Sequence, residues 1–201
     1  MMEEKRPVQT DSAKQAIRAE AKRRERAFLQ DPGLAAAEAG SIWQQVEELP
    51  AFRQADTVLV YLDIPGEVPT EDLLRRWPGK RFCIPRVDKD ALVLHAYHPQ
   101  RIHSGYKGIR EPDADTDIIP PEDVDLALVP GIAFAPATQN HGGCTSDGKA
   151  FQRLGHGGGF YDRLLPCLRC PAIGIAFRFR LFPELPEDVW DAGVDAVITA
   201  Y

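Results

Sequence analysis

The chain has 201 residues, which fits one globular domain of the usual size of roughly 100–200 residues. Hydrophobic residues make up 44% and charged residues 27%, and the net charge of −6 excludes a general attraction to nucleic acid or to an anionic membrane. The four cysteines are too few for a disulfide scaffold. We therefore expect small-molecule substrates as partners, with no nucleic acid and no membrane, and local basic residues wherever an anion binds.

The N-terminal residues MMEEKRPVQTDSAKQ lack the apolar core of a signal peptide, and no apolar run approaches the roughly 20 residues that span a bilayer. We expect a soluble, cytoplasmic monomer with reduced cysteines. Residues 1–10 are predicted to form a flexible terminus and residues 11–201 a single domain.

Two helices are predicted ahead of the first strand. Residues 11–29 are dense in helix-forming residues, and Asp11 or Ser12 could serve as the N-cap. The apolar residues near one stripe of this helix are Ala13, Ile17, Ala21 and Phe28. After the break DPG, residues 34–49 place apolar side chains at helical spacing and predict a second helix.

The first helix also carries basic residues. Lys14 and Arg18 are four residues apart, so their heads project from the same side. Such a basic face is ordinarily solvated, and the run Lys22, Arg23 and Arg24 reinforces that interpretation. The residues alone do not bring this helix to a binding site.

Six short β-rich runs follow, bounded by Pro, Gly or Asp. They are residues 57–61, 81–85, 91–97, 125–130, 172–177 and 195–199. Helical patterns lie between several of them, at 70–77 and 159–168. Several runs are apolar at consecutive positions, as in strands covered on both faces. The sequence predicts one α/β domain: a mainly parallel central sheet flanked by helices, with a helical N-terminal arm.

The segment RLGHGGGFYDR at 153–163 has four glycines in five positions and opens the helical pattern that begins near Gly159. Exposed backbone N–H groups at a helix N-terminus favour an anion. The dinucleotide pattern fails because Phe160 stands where a glycine is needed, and no Lys-Ser or Lys-Thr pair completes a Walker loop. A glycine run alone equally fits a flexible turn.

The residues around the glycines favour a phosphate site. Arg153 can pair with phosphate, Asp162 can bind Mg²⁺ held by those phosphates, and Tyr161 offers a face for a flat ring. Asp191 lies directly before the last predicted strand and Glu67 just past the first, near edges where ligands collect in α/β sheets. Taken alone, each of these two carboxylates is more often a solvated loop residue than a ligand.

Six blocks occur in order along the chain: KQAIR at 14–18, GEVPT at 66–70, GIREP at 108–112, VPGIAF at 129–134, RLGHGGGFYDR at 153–163 and DAGVDAVIT at 191–199. Together they resemble the 5-formyltetrahydrofolate cyclo-ligase family, also called methenyltetrahydrofolate synthetases, over residues 11–199. The resemblance implies a fold like that of sugar-phosphate isomerases and coenzyme A transferases. It also implies the ATP- and Mg²⁺-dependent conversion of 5-formyltetrahydrofolate to 5,10-methenyltetrahydrofolate, with ADP and phosphate released.

The resemblance also implies roles for individual residues. Lys14, Arg18 and Arg153 would contact the ATP phosphates and, with Tyr161, would serve catalysis. The nucleotide would be wrapped by Arg153, Leu154, Gly155, His156, Gly157, Gly158, Gly159, Phe160 and Tyr161. Asp162 and Asp191 would hold Mg²⁺. The folate would contact Leu62, Glu67, Gly158, Gly159, Phe160 and Tyr161.

The chain departs from the family pattern before the glycine block. Residues 135–152 are polar, Gly-rich and without a period, and they predict a long surface loop inserted where the family makes a tight turn. Ala135 replaces the usual Asp, and Trp190 stands where a His is common. A separate hypothesis is a zinc or redox site. His141 is paired with Cys144, and Cys167 with Cys170, at the spacing found in small zinc sites.

Two other functions fit the same residues. One is a non-catalytic module of the same fold that binds nucleotide or folate and does not consume ATP. The other is an enzyme of a related fold that acts on sugar phosphates or coenzyme A esters, in which Glu67 would be the reactive carboxylate. The glycine block favours ATP over the latter.

Overall fold

The structure, a computed structural model, describes residues 8–105, 108–137 and 144–200. Its helices are α1 (Val8–Phe28), α2 (Pro32–Glu48), α3 (Pro50–Gln54), α4 (Glu71–Arg76) and α5 (Phe160–Leu164). Its strands are β1 (Thr57–Leu59), β2 (Arg81–Asp88), β3 (Ala91–Ala96), β4 (Ile102–Ser104), β5 (Arg110–Pro112), β6 (Leu126–Val129), β7 (Ala133–Pro136), β8 (Phe151–Leu154), β9 (Ala172–Ile175) and β10 (Ala196–Ile198).

The six predicted strands form one sheet in the order β10-β9-β6-β1-β2-β3, and all neighbouring pairs are parallel except β2 with β3. Both faces of the sheet are covered. Leu126 and Leu128 of β6 pack with α2, whereas Ala127 and Val129 belong to a second core cluster on the opposite face. The predicted α/β class and the mainly parallel sheet are therefore confirmed.

The two N-terminal helices are confirmed with corrected details. Helix α2 begins at Pro32, and the Asp31 carboxylate caps it by accepting a hydrogen bond from Leu34 N at 3.0 Å. Helix α1 begins at Val8, so the prediction that Asp11 or Ser12 is its N-cap was wrong: Asp11 lies in the first turn. Residues 1–7 of the predicted flexible terminus lie outside the described residues.

The predicted apolar stripe of α1 was also partly wrong. Ala13 is exposed, and the side chain of Lys14 is buried next to it. Ala21 and Ile17 of the predicted stripe do pack inward, in a small cluster with Ala133 and Leu154. Because these residues belong to β7 and β8, the helix is held against the hairpin that leads into the glycine segment.

The prediction of a loop over 135–152 was wrong at both ends. Strands β7 and β8 form an antiparallel hairpin in which Ala135 lies opposite Gln152. Residues 138–143 of the predicted loop lie outside the described residues. A second hairpin, β4–β5, was not predicted, because strands this short carry no readable alternation.

The helix after the glycines is shorter than predicted. Helix α5 ends at Leu164, and a 3₁₀ turn follows over Leu165–Cys167. Pro166 has no N–H group to continue the α-helical hydrogen bonds. Within the described part of the chain, no helix is long and apolar enough to cross a membrane.

Candidate active site

A cavity of about 380 Å³ opens beyond the carboxyl ends of β1 and β6. Ligands collect at this position in α/β sheets. Its apolar lining includes Tyr61, Leu62, Pro85, Val87, Leu92 and Ile109. Its polar lining comes from Glu67, Arg110, Glu111, Arg153, His156 and Asp162. A cavity of this size, with apolar walls and a few polar groups, is typical of a small-molecule site.

The glycine segment forms one edge of this cavity. Gly155, Gly158 and Gly159 line it together with Phe160 and Tyr161. Gly159 has φ +65°, and Gly157 has φ +99°. Residues with a side chain rarely adopt positive φ values. The glycines therefore form a bend at the edge of the cavity that residues with a Cβ atom would not readily adopt.

Four residues of the predicted nucleotide set are not among the described residues that line the cavity: Lys14, Arg18, Leu154 and Gly157. The Leu154 side chain is buried in the cluster that holds α1. Any contact of Leu154 with a nucleotide would therefore involve its backbone.

Helix α1 reaches the glycine segment, which the residues alone did not predict. Arg18 Nε donates a hydrogen bond to Gly155 O at 3.0 Å. Lys14 Nζ donates to Asp188 Oδ2 at 2.8 Å and also to Asp191 Oδ2. Both cations of the helix thus lie beside the predicted phosphate site, and the interpretation of a solvated face was wrong for Lys14.

Arg153 lies at the end of β8 and joins several parts of the site. Its side chain is 2% exposed, and its Nη2 donates to Asp162 Oδ1 at 2.6 Å. The guanidinium carbon is 5.4 Å from the centroid of the Tyr161 ring. Its Nε is buried without a hydrogen-bond partner among the described residues. A buried unpaired donor is costly, so this atom suits an anionic ligand oxygen.

The two predicted Mg²⁺ ligands are close neighbours. Asp162 Oδ1 is 3.4 Å from Ala192 N, the residue that follows Asp191. Asp162 lines the main cavity, and Asp191 lines an adjoining cleft of about 10 Å³ that Arg153 also lines. Each carboxylate is ion-paired, Asp162 with Arg153 and Asp191 with Lys14.

The fit of these carboxylates to Mg²⁺ depends on phosphate. Within residues 8–105, 108–137 and 144–200, no group of three or more His, Cys, Asp or Glu side chains could hold a metal ion. Mg²⁺ usually takes only one or two carboxylates and completes its shell with phosphate oxygens and water. Asp162 and Asp191 therefore fit a nucleotide-bound Mg²⁺ and do not form a protein-only metal site.

Asp188 was missed by sequence reasoning. It is a buried carboxylate three residues before Asp191, and it shares the ammonium group of Lys14 with that residue. Asp188 N also donates to Asp191 Oδ2 at 2.8 Å. The spacing Asp188-Val-Trp-Asp191 was the available signal, but it is too common to predict a paired site.

Glu67 also lines the cavity and lies near the glycine segment. Its side chain is 8% exposed, and its Oε2 accepts a hydrogen bond from Ile64 N at 3.1 Å. The other oxygen, Oε1, lies 3.8 Å from His156 Nε2. Glu67, Leu62 and residues 158–161 all line this one cavity, so the residues predicted for folate are brought together.

The Tyr161 hydroxyl group is buried and has no hydrogen-bond partner among the described residues. Burial, and then the nearby charge of Glu67, raise the pKa of Tyr161 well above its ordinary value. The hydroxyl group therefore keeps its proton at neutral pH and can donate a hydrogen bond to a ligand. Arg110 and Glu111 of the GIREP block also line the cavity, although no role was predicted for them.

The described cysteines give no support to the zinc hypothesis. His141 lies outside the described residues, and Cys144, Cys167 and Cys170 form no metal-binding group. Cys144 and Cys167 are exposed, and Cys167 Sγ lies 3.4 Å from Arg163 O. Cys83 is fully buried in β2.

Thiol reactivity should follow burial. Burial raises the pKa of Cys83 to about 12 and that of Cys170 to about 11, so neither forms much thiolate at pH 8. We expect iodoacetamide to modify exposed Cys144 and Cys167 first and to leave Cys83 unmodified in the folded protein. Peptide mass spectrometry after timed labelling measures this, with guanidinium-unfolded protein as the control. Equal labelling rates for Cys83 and Cys167 in the folded protein would contradict the assignment.

Comparisons with known proteins agree with this geometry. The model of the 5-formyltetrahydrofolate cyclo-ligase family matches residues 10–200. The 5-formyltetrahydrofolate cyclo-ligase of Escherichia coli K12 is 33% identical over 160 residues, which cover 75% of this chain and 81% of the relative. The mouse enzyme of that name is 26% identical over 212 residues, with 95% of each chain covered.

Solved structures show the same fold. The Aquifex aeolicus 5,10-methenyltetrahydrofolate synthetase superposes with a TM-score of 0.76 at 28% identity, over 92% of this chain and 88% of its own. The Mycoplasma pneumoniae protein, at 23% identity and a TM-score of 0.68, supports the fold alone, over 92% of this chain and 98% of its own. The family model, the relatives and the structural likeness agree: this chain belongs to the 5-formyltetrahydrofolate cyclo-ligase family.

Proposed function

We propose that this protein converts 5-formyltetrahydrofolate to 5,10-methenyltetrahydrofolate with consumption of ATP and release of ADP and phosphate. The observation that supports this most is one cavity that joins the buried carboxylate of Glu67 to the glycine segment and Arg153. A carboxylate suits the N–H donors of the folate head, and the guanidinium and loop amides suit phosphate. Both substrates can thus meet in one cavity.

The chemistry asks for positioning and charge neutralisation. The formyl oxygen of the substrate is a poor leaving group, so it first takes the γ-phosphoryl group of ATP, and ADP leaves. A neighbouring folate nitrogen then attacks the formyl carbon and loses its proton, and phosphate departs as the ring closes. Phosphoryl transfer of this kind requires no nucleophilic side chain.

Lys14, Arg18 and Arg153 are the proposed phosphate-binding residues, and residues 154–161 would wrap the nucleotide. In the structure Lys14 and Arg153 pair with carboxylates. When nucleotide binds, phosphate oxygens replace carboxylate oxygens as their partners. Asp188 can keep Lys14 in place during this exchange, because it pairs with Lys14 independently of Asp191.

Mg²⁺ would be held by Asp162 and Asp191 together with phosphate oxygens. When bound, it supplies positive charge that neutralises the phosphate oxygens during transfer. The exchange of partners described above frees both carboxylates for this role. The Tyr161 hydroxyl group would donate a hydrogen bond to a substrate or phosphate oxygen.

An absorbance assay tests the reaction directly. Purified protein is mixed with 5-formyltetrahydrofolate, ATP and Mg²⁺, and the rise of methenyltetrahydrofolate absorbance is followed with ADP measured in parallel. Product and ADP in equal amounts are expected. A binding module of the same fold would be stabilised by either ligand without forming ADP, and that result would contradict the proposed reaction.

Replacement of Lys14 by Met should raise the KM for ATP about tenfold, the usual size of one lost charge-assisted hydrogen bond. The KM for 5-formyltetrahydrofolate should stay near its wild-type value, because the hydrogen-bond partners of Lys14 are Asp188 and Asp191, which are not among the residues predicted for folate. Steady-state kinetics with each substrate varied in turn measure both values. Lys22→Met, an exposed site on the same helix, is the control. An unchanged KM for ATP in folded Lys14→Met would refute the role of Lys14.

A cytoplasmic location and a monomeric state also remain proposals. Cell fractionation tests the first. Light scattering during size-exclusion chromatography tests the second.

A further inference from the structure

Arg180 is a buried arginine that is not among the predicted site residues. It ends the 3₁₀ turn Arg178–Arg180, which follows β9, and it is 4% exposed. A buried guanidinium group is costly unless its donors are satisfied. Its partners therefore show which parts of the fold it holds together.

The guanidinium group of Arg180 contacts three separate segments. Its Nε and Nη2 both donate to Gly66 O, at 3.1 and 2.7 Å. Its Nη1 donates to Ile132 O at 3.1 Å, and Nη2 also donates to Glu25 Oε2 of α1 at 2.8 Å. One side chain thus joins α1, the segment after β6 and the turn that precedes Glu67.

The turn at Gly66 is packed closely against this arginine. Gly66 has φ +86°, a conformation that favours glycine, and a Cβ atom there would overlap the carboxylate of Glu25 and approach Arg180 Nη2 to 2.8 Å. The carbonyl group that Arg180 holds belongs to the peptide bond that leads into Glu67. Any shift of the Gly66 carbonyl is therefore transmitted to the Glu67 backbone.

Charge places Arg180 near the same site. Burial lowers the pKa of Arg180, and the carboxylates of Glu25 and then Glu67 are the main groups that oppose this shift. The positive charge of Arg180 is thus close enough to interact with the Glu67 carboxylate.

We infer that Arg180 is a positioning residue for Glu67, and that its two hydrogen bonds to Gly66 O set the affinity for the folate head. This inference rests on the proposed function, in which Glu67 binds that head. Arg180 does not line the cavity, so it acts through the backbone turn and its charge rather than by contact with substrate.

Arg180→Lys tests this inference with little change of volume. A single ammonium group cannot reproduce the fork that reaches Gly66, Ile132 and Glu25 together. We expect the Kd for 5-formyltetrahydrofolate, measured by calorimetry without ATP, to rise about tenfold, since one or two charge-assisted hydrogen bonds are lost. The KM for ATP should change less than about twofold, because Lys14, Arg18 and Ala21 hold α1 independently of Arg180. Arg180→Met should raise the Kd further.

Arg178→Lys is the matched control. Arg178 lies in the same turn and pairs with a buried glutamate, Glu38 of α2, through Nε and Nη2 at 2.8 and 2.6 Å. Arg178 is not among the described residues that line the cavity, and its side chain bonds to Glu38 rather than to Gly66. Its substitution should lower the melting temperature and leave the Kd for 5-formyltetrahydrofolate unchanged.

The double variant Arg180→Lys/Glu67→Gln separates positioning from general loss of structure. If Arg180 acts through Glu67, the increase in Kd caused by Arg180→Lys should largely disappear once Glu67 is Gln. Three results would each overturn the inference. The first is a double variant whose increase in Kd equals the product of the increases in the two single variants. The others are an equal rise in Kd in Arg178→Lys and an unchanged Kd in folded Arg180→Lys. Wild-type protein that binds 5-formyltetrahydrofolate without turnover would refute only the proposed reaction; absence of binding would refute both.

Discussion

Replacement of Arg153 by Met is expected to lower kcat about a thousandfold at saturating ATP and 5-formyltetrahydrofolate, the lower range for loss of an arginine that stabilises phosphoryl transfer. Arg153 is 2% exposed, donates a hydrogen bond to Asp162, and has an Nε without a hydrogen-bond partner in the described part of the chain. A buried guanidinium group beside the transferring phosphoryl group acts in a low dielectric and needs little reorganisation. The initial rate of methenyltetrahydrofolate absorbance measures kcat.

Two further variants separate charge from geometry. Arg153→Lys keeps the charge and loses the planar fork, so its kcat should lie between those of the wild type and Arg153→Met. Arg169→Met removes an exposed arginine after α5 and should leave kcat unchanged. Melting temperatures identify variants that fail to fold. A folded Arg153→Met protein that loses less than about tenfold in kcat would contradict a role in phosphoryl transfer.

The central sheet was predictable because its signal is local. Strands β6 and β9 are buried at every position, which matches their consecutive apolar residues. Helix α2 was predictable from helical spacing and from the DPG break that supplies its Asp31 cap. The hairpin β7–β8 was not predictable, since its strands are short and depend on partners elsewhere. Phe134, for example, packs where Gly131 and Gly174 leave space.

The site was predictable in part. The residues themselves made the glycine segment, Glu67 and the two Asp residues candidates, the resemblance assigned them to ATP, folate and Mg²⁺, and they gather around one cavity and its adjoining cleft. The burial of Lys14 could not be read from helical periodicity, because its partners Asp188 and Asp191 lie 174 and 177 residues further along the chain. Arg180 carried no signal either, since its contact with Gly66 spans 114 residues.

Replacement of Glu67 by Gln should lower kcat/KM for 5-formyltetrahydrofolate about a hundredfold, mainly through KM, because hydrogen bonds to a charged group are stronger than neutral ones. Glutamine has the same shape, so packing and the hydrogen bond from Ile64 N can persist. Glutamine has only one acceptor oxygen. Its NH₂ group is a donor, so it cannot accept a hydrogen bond from an N–H group of the substrate. The decrease in kcat/KM therefore measures the loss of the carboxylate charge and of its second acceptor oxygen, and not a change in packing.

The kinetic pattern of Glu67→Gln distinguishes substrate binding from other roles. The KM for ATP should remain near the wild-type value, because the phosphate-binding cations lie on α1 and β8 and Glu67 lies on the turn after β1. Glu71→Gln, an exposed change at the start of α4, is the control and should alter neither constant. A fall in kcat with an unchanged KM for 5-formyltetrahydrofolate would instead indicate that Glu67 interacts with the substrate only in the transition state. Such a result would contradict the proposal that Glu67 holds the folate head when the substrate binds.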